Sequence, residues 1–263
     1  MKRSLCNFTH ALTGIPRASI EAIELSAAQM DSTFWIAFWA AMFVGTHLAL
    51  SSSAIRPRLV AAVGEQAYRG IYSLVAFATL GPLIYEFARH KHAGPTLWYL
   101  RADAPIRWLA WLVMLVALIF FVASFINPNP GGMGAPTATA EPRGILKITR
   151  HPGFIGFILF GLAHMLMNGS AGDVIFFAMF PVIGILGGIH QDQRKIRDLG
   201  AGYRDFVTKT SFMPFAALVS RRQRWTAADT PWAAIRAGAI VTLAIVALHP
   251  LIFGGHPLGW SIF

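Results

Sequence analysis

Six stretches of this chain carry no charged residue: 33–55, 70–85, 108–126, 152–172, 174–189 and 237–253. Crossing a bilayer's hydrocarbon core takes roughly 17–25 predominantly apolar residues per helix, so these runs are long enough, or nearly so, to be membrane spans. A soluble all-α protein would need helices with one polar face, and these runs are apolar all round. Charged residues make up 13% of the chain, about half the share that soluble domains carry. The expected fold is therefore all-α, a polytopic transmembrane bundle of about six helices. Its parts are an N-terminal extramembrane segment (1–32), a transmembrane domain (33–255) and a C-terminal tail (256–263). The first 32 residues hold no continuous apolar region before Glu21, Glu24 and Asp31, so a cleavable signal peptide is not expected.

Charge sets the orientation. In a six-helix arrangement 7 of the 22 lysines and arginines fall on the side of the two termini and 15 on the other. The richer side is cytoplasmic by the positive-inside rule, which also accounts for the net charge of +10 without a nucleic-acid partner. Residues 127–140, rich in Pro, Gly, Ala and Thr, read as a flexible loop between the third and fourth helices. The basic segment from Gln191 to Pro231 reads either as a chain lying against an anionic leaflet or as a solvated positive loop. Cys6 is the only cysteine, so a thiolate zinc site and paired-cysteine haem attachment are both excluded, and any haem is held non-covalently.

Ionisable side chains at membrane depth are costly and tend to be functional, which draws attention to the histidines. His47 falls in the first helix, His164 in the fourth and His249 near the end of the sixth. Neutral imidazole is well suited to ligate haem iron, and two histidines from different helices can grip a macrocycle from opposite faces. Gly156 and Gly161 share the helical face of His164, where they would admit either a flat ring or a neighbouring helix. His151 precedes Pro152 at the start of the fourth helix and is a candidate proton donor, polar-substrate contact or interfacial cap. His190, followed by Asp192, reads as a surface ion pair. Counted from the nearest cytoplasmic arginines, His47 and His164 differ in depth by about 7–8 Å, whereas His249 lies nearly level with His164.

Several segments resemble the NnrU family of bacterial membrane proteins: GEQAYRGIYSLVA (64–76), ITRHPGFIGFILFGLAHMLMNG (148–169), THLALSS around His47, and HQDQRKIRDLGAGYRDF (190–206). TSFMPFAAL (210–218) and LHPL (248–251) extend the likeness. The family's plant and cyanobacterial branch holds zeta-carotene isomerases. That resemblance implies a haem b protein acting on a membrane-dissolved apolar polyene, with iron axially ligated by His47 and His164, Gly161 beside the ring, and an unidentified electron donor. For a bacterial member it implies an inner-membrane location. Other members are associated with nitric-oxide metabolism in denitrifying bacteria, which implies instead a non-enzymatic haem or nitrogen-oxide-responsive protein.

The charge asymmetry predicts that a reporter fused in the loop at Arg221 is cytoplasmic and one fused after Phe263 is on the opposite side. Finding both on one side would contradict six crossings.

Overall fold

The computed structural model describes residues 16–100, 103–126 and 141–253. Cys6, the loop expected at 127–140 and the tail at 256–263 lie outside the described residues. The described residues form helices and short connections with one isolated bridge between Thr96 and Ser170. In order these are α1 (Arg17–Ser51), α2 (Arg56–Val63), α3 (Glu65–Arg89), α4 (Ala104–Ile126), α5 (Ile145–Ile148), α6 (Pro152–Met167), α7 (Ala171–Leu199), α8 (Ala201–Lys209), α9 (Ala216–Val219), a 3-10 turn (Ala227–Asp229) and α10 (Trp232–Phe253). Five helices, α1, α3, α4, α7 and α10, are long and apolar enough to cross a membrane. The sixth apolar helix, α6, has 16 residues, about 24 Å of rise, less than the roughly 30 Å of a hydrocarbon core. The chain is a multi-pass membrane protein built as a helical bundle. Helix α1 already begins at Arg17, inside the segment expected to precede the membrane, although its apolar part is Asp31–Ser51.

The helices pack as a row, α3 against α1, α1 against α7, α7 against α6, α6 against α4 and α4 against α10. Glycines make the closest of these contacts. A Cβ on Gly156 would sit 2.8 Å from the Ala117 carbonyl of α4, and one on Gly161 would sit 2.5 Å from Pro181 Cδ and 2.7 Å from the Phe177 carbonyl of α7. Pro181 has no N–H to give that carbonyl, so the two helices meet where α7 lacks a rung of its own ladder. Small residues at such crossings let backbones approach in a solvent where apolar burial alone does not drive helices together. The glycines beside His164 thus serve contacts between helices. Leu74, Phe77, Leu112, Ile240 and Leu243 are exposed, which in a bilayer means that they face lipid.

Two cores result. Ile36, Ala40 and Phe43 of α1 pack with Leu83 of α3 and Phe176, Phe177 and Met179 of α7. The second joins Phe120, Ile155 and Ala234 to Ile145, Leu146, Tyr203 and Phe206 at the end of the bundle that the charge asymmetry predicts to be cytoplasmic. The basic segment after α7 is tied down rather than loose. Arg150 N–H donates to the Ser211 carbonyl, Phe215 N–H to Ile148, and Thr149 Oγ1 to Phe212. Lys147 Nζ bonds Asp229 at 2.8 Å, and the Lys147 and Thr226 contacts hold the Asp229 carboxyl below the usual carboxylate range against the opposing effect of burial. On the outer side, the segment before α4 straps the α6–α7 turn: Leu97 N–H donates to the Gly169 carbonyl, Ala171 N–H to Pro95 and Gly172 N–H to Ala93.

Gly161→Val should destabilise the protein by about 1–3 kcal/mol through overpacking. Gly70→Ala, whose new methyl would meet nothing within 4 Å, should leave stability nearly unchanged. Thermal unfolding in detergent reads both, and an unchanged midpoint for Gly161→Val would show that α6 and α7 are not locked at this crossing.

Candidate functional site

His164 sits one turn from the outer end of α6, and helical spacing places its ring over the preceding turn. Its Nδ1 lies 2.9 Å from the Phe160 carbonyl. A carbonyl can only accept, so Nδ1 carries the proton and the neutral ring presents the Nε2 lone pair. The imidazole is stacked on Phe177 with centroids 4.5 Å apart and lies 4.2 Å from the Phe160 ring. Phe180 and Phe176 continue this aromatic wall, and Phe87 of α3 stacks on Phe176 at 3.9 Å. The chemistry fits a metal held by imidazole, because a second hydrogen bond at the other ring nitrogen is what fixes the tautomer and plane of such a ligand.

His249 shares this level. Gly238 of α10 packs on Ile119 of α4, and Gly156 of α6 packs on Ala117 and Phe121 on either side of it, so α10 and α6 run in register from there. Eleven residues beyond Gly238, His249 lies within about 5 Å of the depth of His164. His47 is elsewhere. Its Nε2 is 2.7 Å from the Tyr72 hydroxyl of α3, its Nδ1 is buried without a partner among the described residues, and its ring lies 5.3 Å from that of Phe43. Ser51, one turn later, meets His190 of α7, which puts His47 level with Leu186. That is nine residues beyond Phe177, or roughly 13 Å of depth. By this register His249 is closer in depth to His164 than His47 is, and His47 lies in a separate polar site with Tyr72. Among the described residues no group of three or more His, Cys, Asp or Glu is placed to hold a metal ion.

His151 lies at the other end of α6, thirteen residues or about 20 Å from His164, so it does not share that site. It is 2% exposed. Its Nε2 is 2.8 Å from Asp192 Oδ1, which also accepts from the Tyr203 hydroxyl at 2.8 Å, while Arg150 donates twice to Asp192 Oδ2. Burial, with the carboxylate beside it, pushes the Tyr203 hydroxyl well above its ordinary range, so it remains the donor. His151 Nδ1 is buried without a partner among the described residues, between the rings of Phe154 and Phe212. The expected pairing of His190 with Asp192 gives way to this network, because residues two apart on a helix point to different sides. His190 turns to Ser51 at 3.3 Å while Asp192 turns inward. A cavity of about 370 Å³ borders the network, walled by Ile185, Ile189, Ile196 and Phe212 with Arg150, Asp192 and Gln193. Sequence reasoning missed Tyr203, Tyr72 and a buried Asp173, which accepts from His92 Nδ1 at 2.6 Å. All three were legible only as residues near membrane edges.

The family model described as NnrU protein matches residues 35–257. The chain belongs to the NnrU family. Among curated proteins, this NnrU member is 27% identical to a chloroplastic 15-cis-zeta-carotene isomerase of Zea mays over 206 residues, which is 75% of the chain and 56% of the relative. It is 28% identical to the Arabidopsis thaliana protein of the same name over 164 residues, which is 61% of the chain and 44% of the relative. The chain thus spans about half the length of these relatives. No solved structure matches it.

Asp192→Asn would leave Arg150 and His151 without their carboxylate and should cost about 3–5 kcal/mol. Tyr203→Phe, which removes one hydrogen bond to a charged group, should cost about 1.5–3 kcal/mol. Denaturant titration of the purified variants measures both. If Asp192→Asn unfolds with the parent, the network is not what fastens α6, α7 and α8.

Proposed function

We propose that this NnrU member binds haem b and isomerises a cis double bond in a membrane-dissolved polyene of the carotene class. The observation that carries this is the state of His164: a neutral imidazole whose Nδ1 is committed to a backbone carbonyl, so that its free lone pair is offered at Nε2 within an aromatic wall. The relatives named as zeta-carotene isomerases supply the substrate class.

In this reading His164 would hold the iron through Nε2, with the Phe160 carbonyl fixing the proton on Nδ1 and Phe177 fixing the plane of its ring. The second ligand would be His47, as the family likeness implies, or His249, whose depth on α10 is closer to that of His164. When bound, the haem supplies an iron with a coordination position through which a polyene double bond can be engaged; the hard chemistry is the cofactor's. The protein's part is to fix the imidazoles, to exclude water with Phe160, Phe176, Phe177 and Phe180, and to present a hydrocarbon-lined surface to a substrate that has no polar group to recognise. An electron donor sets the iron's redox state in this scheme. His151 acts at a distance, as a positioning residue that holds the cytoplasmic end of α6 through Asp192.

Purified protein should carry haem that acidic organic solvent extracts, visible as a pyridine haemochrome. Electron paramagnetic resonance should show low-spin iron that His164→Ala converts or loses. One of His47→Ala and His249→Ala should become high-spin while the other stays low-spin, and His10→Ala should do neither. Co-expression with enzymes that make tri-cis-zeta-carotene tests the activity. Unchanged carotene isomers with fully haem-loaded protein would sink the isomerase assignment, and absence of Soret absorption would sink the haem.

A further inference from the structure

The cytoplasmic end of α7 holds a cation that the rest of the fold does not answer. Arg194 lies one turn beyond His190, whose imidazole touches Ser51 at the end of α1, so helical spacing puts both on the face turned toward α1. The side chain is half-buried and lies within electrostatic reach of Arg56, Tyr68, Glu65 and Asp198. Among the described residues it makes no hydrogen bond or ion pair. The two nearby carboxylates are already engaged. Glu65 takes Arg56 at 2.8 Å and Arg69 at 3.0 Å, and Asp198 takes Arg197 at 3.3 Å. Arg56 is itself held in place, with its guanidinium 5.2 Å from the Tyr68 ring centroid. Arg194 and Arg56 therefore both stand near the Glu65–Tyr68 cluster, where positive charge exceeds the carboxylates that could answer it.

The surroundings define what would neutralise it. α3 and α7 touch along only a short stretch, and their ring contact is at the outer ends, where Phe87 stacks on Phe176. Toward the cytoplasm the polar groups between them are Tyr68, with its hydroxyl on the Leu50 carbonyl, and the Tyr72–His47 pair. The apolar run of α7 ends at Ile189. Arg194 is five residues further on, about 7–8 Å of rise, which is the distance from the hydrocarbon edge to the lipid phosphates. A guanidinium at that depth matches phosphate by geometry as well as by charge.

We infer that Arg194 and Arg56 hold the phosphate of an anionic phospholipid of the cytoplasmic leaflet in the cleft between α1, α3 and α7. Basic pockets between transmembrane helices on the cytoplasmic side are a recurrent form of lipid recognition. The acyl chains of such a lipid would lie along the exposed faces of α3 and α7, beside Leu74 and Leu186. The site is distinct from that of His164 and does not depend on haem.

The test uses the full chain in detergent with equal amounts of phosphatidylglycerol and phosphatidylcholine, with bound lipids counted by native mass spectrometry. The parent should retain phosphatidylglycerol preferentially. Arg194→Gln should reduce that preference about fivefold, the equivalent of about 1 kcal/mol for one interfacial cation, and Arg194→Lys should keep most of it. Arg221→Gln, the same charge change on an exposed cytoplasmic residue, should alter the ratio much less. Equal loss in Arg194→Gln and Arg221→Gln would mean diffuse attraction and overturn the site, as would a parent without preference. A further arm adds inorganic phosphate alone. Displacement of the lipid at millimolar phosphate would assign the site to a soluble anion and overturn the lipid assignment.

Discussion

The close approach of α6 to its two neighbours decides where everything else can sit. In a bilayer there is no gain from hiding apolar surface from lipid, so a helix is positioned by the contacts its shape allows. Gly156 brings α6 to α4 and Gly161 brings it to α7. Because Gly161 meets α7 at Phe177 and Pro181, His164, three residues on, is carried onto the face of Phe177 and acquires its stacked geometry. Fourteen residues earlier, Arg150 is carried onto Asp192 by the same register. One helix crossing thus sets the geometry at both ends of α6.

The fold was largely legible in the sequence because a bilayer leaves the backbone few options. All six uncharged runs became helices, with ends set by Pro152, by the positive φ of Gly200 and by the polar turn at Asn168. The histidines at membrane depth were legible too, as ionisable groups in apolar runs. Which of them lie together was not. Depth counted from flanking arginines assumes that each helix enters the membrane at the same level, yet α1 and α7 are offset so that Ser51 meets His190. The separation of His47 from His164 came out at nearly twice the expected value for that reason. For His249 the counted depth and the structural register agree more closely, because α10 and α6 share α4 as a common reference.

The pairing of Asp192 was hidden for a different reason. Local sequence suggested His190 as its partner, whereas the helix turns the two side chains apart and tertiary packing supplies the adjacent Arg150 and His151 from before α6 and Tyr203 from α8. Buried charge of this kind is specified by the whole fold, and removing any one member leaves the others in a medium that does not solvate them. Arg194, by contrast, was visible as one positive charge among many in a basic segment, and what sets it apart is that it makes no hydrogen bond or ion pair among the described residues.

The strap on the outer side bears on traffic. Residues 93–98 close over the α6–α7 turn through backbone bonds to Gly169, Ala171 and Gly172, and the Trp98 indole donates to the Met165 carbonyl at 3.0 Å, directly beside His164. A molecule approaching from the aqueous phase on that side meets a lid of main chain, while one diffusing within the hydrocarbon meets only side chains. For the polyene proposed as substrate the open route is therefore lateral, and the membrane would act as the first filter on what arrives: anything too polar to dissolve in lipid is screened out before the protein has to distinguish it.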